Sequence, residues 1–299
     1  MSIQEKAMRI NLHISQWTAR KQDKKITAET IAATGAQPES GSWTKALIAK
    51  KPLQAIKDVV TAARAYHKSV SAPWGDGGDR IIAADLLMEY RAKMAEFSRQ
   101  FYAAVNEFIP MYPDLIDEAM SHLGTGWNQE DYPVQGEILN KFQFKISFDT
   151  ITDANDFRVQ VSDLEAARYS AEIRSQVQED TDRAMRALWT RLYAAVKHML
   201  DRLSAPELTE SGRRAPFHKS VIENIKTQVD ILDRLNFTND PELAEMIDTV
   251  GKELCSLTTD EIKKSPAIKI ESKETAEAII AKMSAIMGGA PSIDEQKAA

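Results

Sequence analysis

Two groups of residues carry most of the chemistry that this chain offers. The first is a basic run, Arg20, Lys21, Lys24 and Lys25, set just behind Trp17. Cationic side chains hold phosphate oxygens and an indole face stacks on a base, so this spacing suits a single-strand nucleic-acid contact. The second is a set of aromatic loop residues, Trp74, Trp127 and Tyr132, joined by Asp156, Phe157 and Arg158 at the start of a strand-like run. Trp, Tyr and Arg dominate the energetics of protein interfaces, which makes this set a candidate partner-binding surface. The plainer account is that the rings staple loops onto helix ends. The basic run also has a plain account as a solvated face: Met1 to Lys25 holds six basic residues against Glu5 and Asp23, a local +4. The whole chain, at −6, lacks the basic balance of a nucleic-acid binder.

Other site chemistry is thinner. The five histidines, His13, His67, His122, His198 and His218, stand far apart with no His or Cys at ligand spacing, so no metal site is expected. Cys255 is the single cysteine, which rules out an internal disulfide and fits a reducing compartment. It reads as a packing residue rather than a nucleophile, because no base accompanies it. There is no Gly-x-x-x-x-Gly-Lys-Ser/Thr loop, no Gly-x-Gly-x-x-Gly and no Gly-x-Ser-x-Gly elbow, so nucleotide binding and hydrolase chemistry have no motif behind them. Gly75-Asp76-Gly77-Gly78 stands before an expected helix, yet Asp76 and Asp79 would repel an anion there. Asp149, Asp153 and Asp156 have the charge of a calcium loop without its glycine and terminal glutamate. No cofactor is expected, and the chain reads as a non-enzyme.

These residues must be positioned by helices. Only 12 Gly and 11 Pro punctuate 299 residues, leaving long helical stretches between them. Met1 to Arg20 fits a strand or a helix. Pro52 marks a first turn or a break between two short helices, with Ile56, Val60 and Ala63 following at helical spacing. Asp79 is placed to cap a long helix to about Ile109, with a seam Ala83, Leu86, Tyr90, Met94, Phe97, Phe101, Val105, Phe108. Pro110 and Pro113 then stop or kink it, and a shorter piece runs from Asp114 to Leu123. Phe142, Phe144, Ile146 and Phe148 alternate with polar residues, as do Phe157, Val159 and Val161, which predicts two strands joined by a broad loop.

Ser162 and Glu165 form a capping box that opens the longest helix, to Leu203, about 60 Å at 1.5 Å per residue. Its seam, Ile173, Val177, Thr181, Ala184, Leu188, Leu192, Ala195, Met199, Leu203, repeats every eleven residues like the earlier one. Further helices are expected over 216–235, from Asp240-Pro241 to about Ser256, from Thr258 on, and over Glu274 to Met287, before a flexible tail from Ser292 to Ala299. The fold class is therefore mainly α: an elongated long-helix hairpin or bundle with a small antiparallel β-hairpin element. Residues 1–265 form an elongated helical domain with the β element at about 141–161, and 266–299 a C-terminal helix and flexible tail. No stretch is long and apolar enough for a membrane span and Met1 to Arg20 is no secretory signal, so no membrane partner and a cytoplasmic location are expected.

Several segments together resemble a family found in tailed phages and some bacteria: Leu12-His13-Ile14-Ser15-Gln16-Trp17-Thr18-Ala19-Arg20-Lys21, Pro73-Trp74-Gly75-Asp76-Gly77-Gly78, Glu130-Asp131-Tyr132-Pro133, Phe142-Gln143-Phe144, Asp153-Ala154-Asn155-Asp156-Phe157-Arg158-Val159 and Ser162-Asp163. The resemblance covers roughly Leu12 to Glu179 and leaves the C-terminal third without a matching motif. The family is a domain of unknown function and supplies no catalytic residues. It implies a phage or prophage setting and hence the host cell cytoplasm. Some members are encoded near MoxR-type AAA+ ATPases and von Willebrand-type domain proteins, which implies an adaptor role with an AAA+ ATPase as one possible partner. The expectation is a phage-encoded protein that acts through a protein partner or self-association, as an accessory, adaptor or inhibitor of an assembly. The alternative is a single-strand nucleic-acid-binding protein of phage replication or recombination.

Overall fold

The computed structural model describes residues 2–154, 162–205 and 217–298. It is 67% helical, with ten helices and a small antiparallel sheet among the described residues, so the chain is mainly α. In order come α1 (Ile3–Lys6), β1 (Ala7–Ser15), β2 (Arg20–Gln22), α2 (Lys24–Thr34) and β3 (Thr44–Ala46). A 3-10 turn over Lys51–Leu53 leads into α3 (Gln54–Ser69), followed by β4 (Ala72–Pro73), β5 (Arg80–Ala83), α4 (Leu87–Leu123) and β6 (Gln143–Asp149). The rest is helical: α5 (Asp163–Ser204), α6 (Lys219–Arg234), α7 (Pro241–Glu253), α8 (Thr259–Lys264), α9 (Pro266–Met287) and α10 (Ile293–Ala298). No helix among the described residues is long and apolar enough to cross a membrane.

The chain divides into two units that do not follow its order. The first comprises Met1–Asn11, Tyr66–Tyr90 and Ser147–Ala299, and the second Leu12–Ala65 and Arg91–Ile146.

In the first unit β5 pairs antiparallel with β1, from Ala7 opposite Ala83 to Ile10 opposite Arg80, and with β4 on its other side, Ala72 opposite Ile81. The sheet order is β4-β5-β1-β6. Arg80, Ile81, Ile82 and Ala83 are all buried, so the strand lacks the alternation that would mark it, and the long helix starts at Leu87 rather than after Asp79. The capping box at Ser162 is present and opens a helix of 42 residues. From Thr181 its seam is buried through Ala184, Leu188, Leu192, Ala195, Met199 and Leu203. Within this unit that seam is filled chiefly by α9 and α6, with β4, α7 and α10 also meeting α5. Helix α9 begins at Pro266, not near Glu274, because Ser265 caps it through Ile268 N. The expected tail from Ser292 carries α10, with the Ser292 hydroxyl accepting from Glu295 N and the Glu295 carboxylate accepting from Ser292 N. The second expected strand, Phe157 to Val161, lies outside the described residues.

In the second unit β2 and β3 make a two-stranded ladder, with Lys21 opposite Lys45. Helix α4 runs unbroken past Pro110 and Pro113 to Leu123. Each proline removes one N–H donor from the helix ladder. Packing offsets the loss: Phe108 and Tyr112 are fully buried around the first proline, and the Tyr112 hydroxyl donates to Pro133 O at 2.8 Å. The seam from Met94 through Phe97, Phe101, Val105 and Phe108 is buried as its spacing predicts. Phe101 meets Phe144 at 5.7 Å and Phe108 meets Phe142 at 5.8 Å between ring centroids, which anchors the first expected strand.

Candidate functional site

The second unit holds a buried cation at its two-stranded ladder. Lys45 is only 6% exposed, and its Nζ lies 2.6 Å from Asp131 and 3.4 Å from Asp23 while donating to Gly126 O at 2.6 Å. Lys21, across the ladder, reaches Asp131 at 2.8 Å. Asp23 is also the N-cap of α2, accepting from Ile26 N at 3.0 Å. One ammonium thus ties together β3, the start of α2 and the loop after α4. The Ile26 N–H and then Lys45 hold the Asp23 carboxyl below its ordinary range. Burial pushes Asp131 up, but hydrogen bonds from Lys21 and Lys45 outweigh it and hold it low as well. Burial lowers Lys45, and Asp131 and Asp23 more than reverse that.

Two clefts adjoin this lock, and Asp131 lines both. The first, about 570 Å³, lies among Trp17, Arg20, Tyr132, Glu137 and Lys141. The second, about 730 Å³, lies among Lys21, Lys24, Lys25, Glu29 and Trp127. Over both, six basic side chains face five acidic ones. Trp17 and Tyr132 form floor rather than rim, and Trp127 is half-buried. Trp17 is buried, edge-on to Tyr112 at 5.4 Å and 6.2 Å from Phe108. Tyr132 is buried, with its hydroxyl donating to Leu47 O at 2.8 Å and Trp127 6.4 Å away. The turn that sends Trp17 inward and Arg20 outward passes through Ala19 at φ +52°, a left-handed backbone that a non-glycine residue adopts at a cost of about 1 kcal/mol. Leu47 N bonds Ala19 O at 2.8 Å and fixes that turn.

The structure therefore brings members of both expected groups to one place: Trp17, Arg20, Lys21, Lys24 and Lys25 from the first, Trp127 and Tyr132 from the second. Trp74 belongs to the first unit, buried, with its N–H on Asp79 O at 2.9 Å, so its packing role is the one seen. Asp156, Phe157 and Arg158 lie outside the described residues. A base-stacking role for Trp17 needs an open ring face, and Phe108 and Tyr112 occupy its surroundings.

Sequence reasoning missed Lys45, the centre of the lock. Its neighbours Thr44 and Ala46 give no pattern, and its two carboxylates lie far off in the chain; the single usable signal was Asp23 as a helix cap.

A second buried charge cluster occupies the first unit. Arg80 donates from Nε to Ser71 Oγ at 2.7 Å and from Nη2 to Ser71 O at 2.8 Å. Arg191 donates to the carbonyls of Ser69 and Ser71 and to Gln228 Oε1. Two guanidiniums so cap the carboxyl end of α3, where helix carbonyls lack partners. Beside them His67 Nδ1 and the Tyr90 hydroxyl are 2.8 Å apart. Burial first, then Arg80 and Lys68, push His67 down to about 4, so its ring is neutral at pH 7. The cluster's guanidinium donors are spent within the fold, on the Ser69 and Ser71 carbonyls, Ser71 Oγ and Gln228 Oε1.

Among the described residues no group of three or more His, Cys, Asp or Glu is arranged to hold a metal ion. Compared with known proteins, the chain matches no family model, no curated protein and no solved structure.

Proposed function

We propose that the protein acts without catalysis, by binding a protein through the two clefts that meet at Asp131. The partner is another protein or a second copy of this chain, and the setting is a phage or prophage, where the protein serves as accessory, adaptor or inhibitor of a host or phage assembly; an AAA+ ATPase is one partner class to try first. The observation that carries this reading is the make-up of the clefts: buried Trp17 and Tyr132 and half-buried Trp127 under a rim bearing both signs of charge. Protein interfaces combine an apolar centre with a polar rim of this kind. Val134 and Leu139, 68% and 48% exposed beside the first cleft's Pro133 and Asn140, add apolar area for a partner to cover.

Single-strand nucleic-acid binding draws on Arg20, Lys24 and Lys25, which are exposed and carry no ion pair among the described residues. It is the weaker reading, because a near-balanced rim does not favour a polyanion. The test is affinity purification of the tagged full chain from cells of its host, with nuclease treatment, followed by mass determination in solution. A stoichiometric protein partner or a defined homo-oligomer, weakened about tenfold or more by Arg20→Glu with Lys141→Glu, is expected. A monomer with no partner, or material that nuclease alone removes, would overturn the proposal.

A further inference from the structure

The acids and bases of the second cleft do not sit at the same depth. Asp23 and Asp131 have side chains 12% and 7% exposed and are spent on Lys45 and Lys21. Lys24 and Lys25 are exposed at the start of α2 with no ion pair among the described residues, and Lys21 is half exposed. The cleft's remaining acid is Glu29, so the charge it shows to a visitor is positive although its residue count is nearly even. The Trp127 indole N–H lies in the same lining, buried and without an acceptor among the described residues.

We infer that this cleft is the docking point for a short acidic segment of a protein partner, whose carboxylates meet Lys24 and Lys25. The inference rests on the partner-binding reading and specifies the partner's chemistry. Lys24 and Lys25, the two cations of the cleft unpaired among the described residues, match a pair of neighbouring carboxylates. A nucleic acid strand needs a longer basic track than this cleft holds.

The test uses the full chain and three labelled probes: a hexaglutamate peptide, a hexalysine peptide and a twelve-residue oligothymidylate, titrated at low and moderate salt. Hexaglutamate is expected to bind and the other two to bind at least tenfold more weakly, with affinity falling as salt rises. Lys24→Glu with Lys25→Glu, both at exposed positions, should abolish hexaglutamate binding while leaving the circular dichroism unchanged. Equal binding of hexaglutamate by wild type and the double reversal, no binding at all, or preference for the oligothymidylate would each overturn the inference. The partner-binding proposal fails separately: if a captured protein partner is retained by the double reversal, the proposal stands and the acidic-segment inference falls.

Discussion

Two buried cations, each gripped by several partners, do different work in the two units. Lys45 is matched by carboxylates, Asp131 and Asp23, and lies at a cleft lined by exposed lysines. Arg191 is matched by the carbonyls of Ser69 and Ser71 and by Gln228, with another cation, Arg80, beside it. In the first case charge is balanced by charge, so removing the cation strands Asp23 and leaves Asp131 with Lys21 alone. In the second, charge is balanced by dipoles at a helix end, and removing the cation strands neutral oxygens while relieving repulsion from Arg80. Buried charge alone therefore does not mark a site; what matters is whether the neighbouring groups still have something to offer a ligand.

The comparison is broken most directly by removing each cation in turn. Lys45→Met should cost about 3 kcal/mol in urea unfolding at pH 7, since Asp131 keeps Lys21 but Asp23 loses its ammonium. Arg191→Met should cost less, about 2 kcal/mol, from unpaired carbonyls and lost packing. If Arg191→Met proves the costlier, the contrast between ionic and dipolar balance fails.

Acid separates the two regions further. His67 has a folded pKa below its unfolded value, so the unfolded chain takes up the extra proton as pH falls from about 6.5 to about 4, and stability falls with it. The size should be about 2.5 kcal/mol over that window, and His67→Gln should flatten it. Asp23 and Asp131 are depressed carboxyls, so their contribution is present above the ordinary carboxylate range and is lost only below about pH 4. Unfolding curves from pH 7 to 3, for wild type and for each variant, read both. The smallest effect expected is at the bend behind the first cleft: Ala19→Gly should raise stability by about 0.5 kcal/mol, because glycine adopts φ +52° without strain. A clear loss at that position would show that the Ala19 methyl, 4% exposed, matters more for packing than the turn does for strain.

Much of the helical framework could be read from periodicity, since long amphipathic seams repeat themselves often enough to be seen. The run from Leu86 to Phe108 and the capping box at Ser162 are of this kind. Short fully buried strands were not legible: Arg80 to Ala83 has no alternation, and β2 and β3 are three residues each. The prolines at 110 and 113 signalled a break that aromatic packing overrode. Of the candidate site, the aromatic and basic residues announced themselves by type, but their meeting around Asp131 depends on pairings across the chain that local pattern does not encode. Trp17 shows the limit of residue type as a guide: a tryptophan beside a basic run has the type of a stacking ring, and its burial against Phe108 and Tyr112 depends on contacts far along the chain.

The central claim is that residues 15–25 and 124–141 form the partner surface, and hydrogen exchange of the full chain with and without its captured partner, or across its self-association, tests it most directly. Slowed exchange concentrated in those two segments is the predicted result. Unchanged exchange there, with protection confined to the first unit, would contradict it.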